Sequence, residues 1–304
     1  MISDGIPILF ADDTNGIYFA NSYQCLENKL NTELSKISDW FRINKLAVNE
    51  TKTKYIIFNT KFNPKPPENF TVILNEKILE RVSNTKFLGV FIQENMQWDT
   101  HITHVGNKLA KITAVLSRLK YQLPTTILKT IYNSLFSPYI MYGLSVWGSS
   151  PASHLDRITK LQKKAVRHIS HTKYNSHTEP IMKKLKLLNV SDSYKVQCCK
   201  IYYKKMIGIL HEYHDSKLIS RSTNQERTTR QSNDIIVAKP VTYLHRHTLN
   251  NKVSAVWNSL PNYIKDRKNH SEHSFVRALR NYFLSNYKDN CTITGCYICN
   301  RPAT

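Results

Sequence analysis

Two adjacent carboxylates near the start of the chain are the residues whose types and spacing suggest chemistry. Asp12 and Asp13 stand between apolar residues in the stretch Ile8–Ala20, ILFADDTNGIYFA. A carboxylate in such surroundings is costly unless it is paired, hydrogen-bonded or bound to a cation. Hard oxygen ligands of this type bind Mg²⁺ or Mn²⁺, and such ions bridge nucleotide phosphates during phosphoryl transfer. The alternative is that the pair serves as turn residues or as a helix cap.

The backbone around this pair is predicted to form a β-hairpin, for which the sequence offers two turns. Asn15-Gly16 has the composition of a tight hairpin turn, and Asp12-Asp13 is the second candidate. A turn at the aspartates exposes both carboxylates at the tip of the hairpin. A turn at Asn15-Gly16 places them on a strand, where their side chains point to opposite faces.

The net charge of the chain is concentrated in its C-terminal two-thirds. The 304 residues include 43 Lys and Arg against 22 Asp and Glu, a net charge of +21. Residues 1–100 hold 11 of the basic and 12 of the acidic residues, so residues 101–304 hold 32 and 10, a net of +22. Such a field suits a polyanion, most often nucleic acid, and the alternative is a solvated basic surface.

Composition narrows the class of protein further. A hydrophobic content of 41% with 11% aromatics predicts a folded chain, and its length predicts two or three domains. The chain contains no run of about 18 apolar residues, so no membrane span is predicted. Six cysteines without a secretion signal predict free thiols and an intracellular protein of the nucleus or cytoplasm.

The periodicity changes near Trp98. Before it, short strands surround one long helix with an N-cap at Ser22, a hairpin turn at Asn75-Glu76 and a strand at Tyr55–Phe58. After it, amphipathic helices follow one another, one of them running on from Pro124. Lys217–Asp234 is polar and unperiodic and is predicted to be a mobile linker.

Four ordered blocks resemble one family. Phe10-Ala11-Asp12-Asp13 resembles the aromatic-x-Asp-Asp box of reverse transcriptases. Trp40–Phe58, WFRINKLAVNETKTKYIIF, and Thr85–Ile102, TKFLGVFIQENMQWDTHI, are similar to blocks of non-LTR retrotransposon polymerases, Jockey-like elements in particular. LQKKAVRHI and AVWNSLPNYIKDR resemble the C-terminal regions of the same elements.

The resemblance implies an α+β fold, a partial polymerase palm of antiparallel hairpins plus one helix, followed by a mostly α-helical thumb and C-terminal region. The implied domains are a palm over 1–97, a basic thumb over 98–216, a linker over 217–234 and a helical C-terminal region with a cysteine-rich tail over 235–304. It favours the turn at Asp12-Asp13 over Asn15-Gly16.

The resemblance also implies residue roles. Asp12 and Asp13 would be ligands for Mg²⁺ or Mn²⁺, and Phe10 would lie near the primer end. Lys52, with Lys54 as its rival, would protonate the leaving pyrophosphate. Phe87, Leu88, Gly89 and Val90 would form a primer-grip hairpin, in which Gly89 admits close approach of nucleic acid or marks a strand bulge.

Basic helices would contact the phosphates of an RNA template and DNA primer, with dNTP as the substrate of the full-length enzyme. The candidates for phosphate contact are Lys108, Lys111, Arg118, Lys163, Lys164 and Arg167. The alternative for each is a solvated position on a helix face. Tyr202 and Tyr203 could stack on bases, but their helical spacing favours a core role.

The cysteines divide into a tail and two helical positions. Cys291, Cys296 and Cys299 include a Cys-x-x-Cys with zinc-ligand spacing, for which His270 or His273 would be the fourth ligand. The alternative for this tail is free thiols. Cys25, Cys198 and Cys199 are predicted to be core residues.

Three functional hypotheses remain open. The chain is a fragment of a reverse transcriptase, without activity by itself because the fingers and a third palm aspartate are not among the eleven residues before Asp12. Alternatively it is a non-catalytic nucleic-acid-binding protein, or a relic, derived from such an element.

Overall fold

The protein consists of two compact units, one with strands and one helical. A computed structural model describes residues 5–59, 65–210, 218–221, 234–237, 239, 242–266 and 270–290. The units are Met1–Thr100 and His101–Thr304. In the described ranges, each helix is too short or too polar to cross a lipid bilayer.

Over its described residues, the first unit combines four two-stranded sheets with one helix. The antiparallel pairs are β1–β2, β4–β5 and β7–β8, and β3 pairs in parallel with β6. The elements are β1 (Ile6–Phe10), β2 (Asp13–Ile17), α1 (Tyr23–Ile43), β3 (Lys54–Tyr55), β4 (Ile73–Leu74), β5 (Lys77–Ile78), β6 (Glu80–Arg81), β7 (Asn84–Phe87) and β8 (Val90–Gln93).

Helix α1 forms as its sequence predicts. The Ser22 side chain accepts a hydrogen bond from the Cys25 amide, 3.2 Å away, which satisfies a first-turn donor. The apolar stripe of α1 packs on a core that contains Ile57, Phe70, Val72, Leu74 and Leu79. The predicted Asn75-Glu76 turn is confirmed, and both residues take a positive φ, 49° and 63°.

Two predictions for this unit are wrong. The strand expected over Tyr55–Phe58 spans only Lys54–Tyr55, because its partner β6 is itself two residues long. Cys25, predicted to be a core residue, is exposed because it lies on the outer face of α1.

The second unit is helical. Its elements are α2 (Asp99–Leu119), α3 (Thr125–Ile131), a π-helical turn (Tyr132–Phe136), α4 (Ser137–Met141), α5 (Leu144–Trp147), α6 (Ala152–Ile169), α7 (Thr178–Leu185), α8 (Val190–Met206), α9 (Tyr243–Arg246), α10 (Leu249–Asn258), α11 (Asn262–Lys265) and α12 (Glu272–Ser285). The mixed helix and strand content of the two units agrees with the α+β prediction.

The helix predicted to run on from Pro124 is interrupted. After α3 the helix continues as a π-helical turn and then returns to α-helix as α4, which has Pro138 in its first turn. Proline has no amide hydrogen to donate to the preceding turn. Gly143, with a φ of 61°, then separates α4 from α5.

Helix α8 contributes much of the second core. Tyr202 packs on Trp257 with ring centroids 4.5 Å apart, and Tyr203 stacks on Phe275 at 4.4 Å. Both tyrosines are buried, which confirms the core role. Cys198 and Cys199 are buried as predicted, and burial raises the pKa of Cys198 to about 11.

The predicted linker 217–234 is described only at its ends. Lys217 and residues 222–233 lie outside the described residues. Leu218 is buried, and Ser220 bridges to Ile235 in antiparallel fashion. Lys265 donates to the Asp234 carboxylate at 2.7 Å, so the two described ends are held in the helical unit.

Candidate metal and nucleic-acid sites

The hairpin that carries the two aspartates turns one residue earlier than predicted. Phe10 pairs with Asp13, so Ala11 and Asp12 form the two-residue turn and Asp13 opens β2. Ala11 takes a φ of 52°, which satisfies the demand of a tight hairpin turn for positive φ without glycine. The competing turn at Asn15-Gly16 is excluded, because both residues lie within β2.

Both carboxylates are exposed at this bend. Asp12 and Asp13 are accessible to solvent, and the neighbouring Phe10 side chain is 60% exposed. Mg²⁺ is usually held by one or two carboxylates together with water and substrate phosphates. Both carboxylates are therefore accessible to an ion and to a phosphate ligand.

A closed metal cage is not found in the part of the chain that the structure describes. There, no group of three or more histidine, cysteine, aspartate or glutamate side chains could hold a metal ion. The predicted zinc ligands Cys291, Cys296 and Cys299 lie outside the described residues. The zinc prediction for these cysteines therefore stays a prediction.

The two candidate lysines differ in their surroundings. The Lys54 ammonium lies 2.7 Å from the Glu80 carboxylate in the β3–β6 pair. Lys52 lies in a turn that Asn49 organises, where its amide donates to the Asn49 side chain at 3.1 Å, and its own side chain is exposed. The geometry thus ties Lys54 to a structural ion pair and leaves the Lys52 side chain accessible.

The hairpin predicted from the third block, Thr85–Ile102, is present as β7–β8. Phe87 pairs with Val90 across a two-residue turn in which Leu88 and Gly89 take φ values of 44° and 81°. Gly89 therefore supplies a turn position with positive φ. The alternative of a strand bulge at Gly89 is wrong.

Helices α2 and α6 contact each other through Arg157 and together carry the six predicted phosphate contacts. Arg157 of α6 donates to the Asn107 side chain of α2 at 2.7 Å. A Cβ added to Gly106 would meet the Arg157 guanidinium at 3.2 Å, so the glycine permits this close approach. Near the other end of both helices, Lys120 interacts electrostatically with His168.

Five of the six candidates are exposed on these two helices. Lys108, Lys111 and Arg118 are three and seven residues apart and lie along one stripe of α2, whereas Lys163 and Lys164 are neighbours on α6. The sixth, Arg167, is half-buried. Its Nε donates to the Ser176 carbonyl at 2.8 Å, and burial lowers its pKa.

Near the C-terminal ends of α2 and α6, Lys120 and His168 join the predicted Lys164 and Arg167 in a cationic cluster. Burial lowers the pKa of His168, and the nearby charges of Lys120, Lys164 and Arg167 lower it further. Two exposed tyrosines, Tyr121 and Tyr174, each follow a lysine in this region. The Lys-Tyr dipeptide occurs three times in the chain, at Lys54, Lys120 and Lys173, and only the structure associates the second copy with the third.

The chain is similar to RNA-directed DNA polymerases of mobile elements. It is 26% identical over 247 residues, or 78% of its length, to a probable RNA-directed DNA polymerase from transposon X-element of Drosophila melanogaster. It is 27% identical over 62% of its length to the RNA-directed DNA polymerase from mobile element jockey of the same species. A retrovirus-related Pol polyprotein from a type-1 retrotransposable element R1 of Bradysia coprophila is 27% identical over 46% of the chain.

The chain is therefore related to the RNA-directed DNA polymerases of Jockey-like and other non-LTR retrotransposons, which confirms the resemblance. It spans 26% of the X-element relative, 20% of the jockey relative and 14% of the R1 relative. No family model matches the chain. No solved structure matches it either.

Proposed function

We propose that the chain is a segment of a non-LTR retrotransposon reverse transcriptase that binds the RNA template and DNA primer through its basic helices. In this proposal the first unit is part of the palm and α2 begins the thumb. Two-metal nucleotidyl transfer to the primer, with dNTP as substrate, belongs to the longer protein. The chain by itself has no polymerase activity.

The observation that carries the proposal is the similarity to retrotransposon polymerases together with the position of the aspartates at an exposed hairpin bend. Asp12 and Asp13 would hold one Mg²⁺ or Mn²⁺ ion. When bound, that ion would neutralise charge on phosphate oxygens. The accessible Phe10 ring beside the bend is available to contact the primer end, and the exposed Lys52 side chain is available as a proton donor.

The charge of the helical unit supports the nucleic-acid part of the proposal. Residues 101–304 carry a net charge of +22, and five exposed cations lie on helices α2 and α6, which are joined by the Arg157–Asn107 hydrogen bond. Contacts of this kind act on phosphates and carry little sequence information. The non-catalytic binding protein derived from such an element is the second candidate, and the same cations support it.

Primer extension separates these two candidates from an active enzyme. The purified chain is given an RNA template, a DNA primer, dNTP and Mg²⁺ or Mn²⁺, and no extension is expected. Extension of the primer would refute the claim that the chain by itself is inactive.

Metal binding at the hairpin is tested by titration of Mn²⁺ followed by electron paramagnetic resonance. Asp12→Asn and Asp13→Asn should each weaken Mn²⁺ binding at least about tenfold, because each removes one of two carboxylate ligands. Glu68→Gln, which changes an exposed acid of the same unit, is the matched control. Equal Mn²⁺ affinity in the wild type and both aspartate variants would remove the metal site from the proposal.

Nucleic-acid binding is tested by fluorescence anisotropy with a labelled RNA/DNA duplex. The double variant Lys163→Gln/Lys164→Gln should weaken duplex binding, because it removes two exposed cations of α6. Lys45→Gln/Lys65→Gln removes two exposed lysines of the near-neutral first unit and should leave duplex affinity unchanged. Equal effects of the two double variants would mean that only total charge matters and that α6 is not the binding surface.

A further inference from the structure

One end of the helical unit combines cations with exposed aromatic rings. We define the Lys-Tyr surface as Lys120, Tyr121, Lys164, Arg167 and Tyr174. Tyr121 is 82% exposed and Tyr174 is 77% exposed, the two highest values among the exposed large hydrophobic side chains of the described residues. Rings this exposed contribute little to the hydrophobic core. Core packing therefore does not explain why they lie at this surface.

Tyr121 stands two residues after Leu119, the last residue of α2. The Lys120 ammonium lies 4.7 Å from the centroid of the Tyr121 ring, a cation–π distance. The Lys120 amide donates to the Leu116 carbonyl at 3.0 Å, which holds this segment against the last turn of α2. The position therefore presents a ring and a positive charge together.

Tyr174 stands on the connection between α6 and α7. The Arg167 guanidinium donates to the Ser176 carbonyl at 2.8 Å, and the Thr172 amide donates to the Arg167 carbonyl at 3.1 Å. These bonds hold the connection on both sides of Tyr174. The backbone at Tyr174 is thus positioned while its ring remains exposed.

The packing of α2 beside α6 brings the two tyrosines to the same end of the unit. Lys120, Lys164 and Arg167 all interact electrostatically with His168, and Tyr174 interacts with Arg167.

Aromatic rings and cations in this arrangement fit one class of ligand. Unpaired bases stack on aromatic side chains, and cations contact the phosphates that join the bases. Bases of a duplex are already stacked on each other and cannot use such rings. We propose that the Lys-Tyr surface binds single-stranded nucleic acid, with unpaired bases stacked on Tyr121 and Tyr174 and phosphates at Lys120 and Lys164. This inference rests on the proposed nucleic-acid function and adds that the ligand at this surface is single-stranded.

The test compares single strands with duplex in anisotropy titrations of the full chain. The probes are a mixed-sequence RNA and a DNA strand of about twelve nucleotides and the RNA/DNA duplex used above. Tyr121→Ala and Tyr174→Ala should each weaken single-strand binding at least about fivefold, with little change for the duplex. Tyr121→Phe and Tyr174→Phe should retain the affinity, because the ring and not the hydroxyl makes the stack.

Tyr263→Ala is the matched control, since Tyr263 is 61% exposed on the separate helix α11. Loss of affinity in the RNA arm, the DNA arm or both supports the inference and identifies which strand uses the surface. Unchanged single-strand binding in both alanine variants, with duplex still bound, would overturn the inference and leave the proposed function standing. Binding of neither single strand nor duplex by the wild type would overturn both.

Discussion

Acid should destabilise the helical unit through one buried histidine. His101 is 2% exposed, and its ring centroid lies 5.6 Å from that of Trp147. Burial, with a smaller contribution from the nearby His104, lowers the pKa of His101 from 6.5 to about 4. The unfolded chain therefore binds a proton at this residue near pH 6.5, whereas the folded chain does so only near pH 4. The contribution of His101 to the free energy of unfolding is fully present above about pH 6.5 and is lost as the pH falls toward 4.

The size of the effect follows from the difference in pKa. At about 1.4 kcal/mol for each pKa unit, the full loss is about 3 kcal/mol, and about 2 kcal/mol of it is lost by about pH 5. Urea unfolding at about pH 7 and about pH 5, followed by circular dichroism, measures this loss in the wild type and in His101→Phe, which cannot titrate. The variant should lose about 2 kcal/mol less than the wild type over this interval.

The exposed His273 provides the control for this experiment. His273→Gln changes an exposed histidine and should leave the acid sensitivity of the chain unchanged. The reasoning is refuted if His101→Phe loses as much stability on acidification as the wild type does.

Two further predictions concern stability. Lys265→Met should lower the free energy of unfolding by about 3 kcal/mol, because it removes the partner of Asp234 from a pair in which the Lys265 side chain is only 4% exposed. Lys265→Met combined with Asp234→Leu should recover most of that loss in urea unfolding; no recovery would contradict a charge-pair origin. Glu76→Gly should raise the free energy of unfolding of the first unit by about 1 kcal/mol, since residue 76 has a φ of 63°. A lower melting temperature for Glu76→Gly would show that the turn conformation is wrong.

The exposed pair Arg42–Asp39 is the control for Lys265. These side chains are 79% and 57% exposed at a separation of 2.7 Å. Arg42→Gln should therefore change the free energy of unfolding by less than about 1 kcal/mol. A cost equal to that of Lys265→Met would contradict the role assigned to burial.

The sequence was informative where a feature is determined by neighbouring residues. Ser22 and the apolar spacing after it predicted α1, and Asn75-Glu76 predicted its hairpin turn, because capping and turn formation involve only a few adjacent positions. The Asp12-Asp13 turn was predicted one residue too late, since adjacent turn positions differ little in composition and Ala11 is an unusual residue for positive φ.

Features that depend on distant residues could not be predicted in this way. The π-helical turn before Pro138 is stabilised in part by Gln162, which donates to the Tyr132 hydroxyl at 2.9 Å from another helix. Tyr121 and Tyr174 are 53 positions apart in the sequence, and only the packing of α2 against α6 brings their segments together. No local pattern reports such a packing arrangement.

The salt dependence of duplex binding tests the central claim most directly. Each phosphate contact contributes about 0.9 to the slope of log affinity against log salt concentration. The five exposed candidates on α2 and α6 therefore predict a slope of about −4 to −5 for the wild type. In Lys163→Gln/Lys164→Gln the slope should become shallower by about 2. Binding of the RNA/DNA duplex that does not change with salt, or a slope equal in the variant and the wild type, would contradict phosphate recognition by these helices.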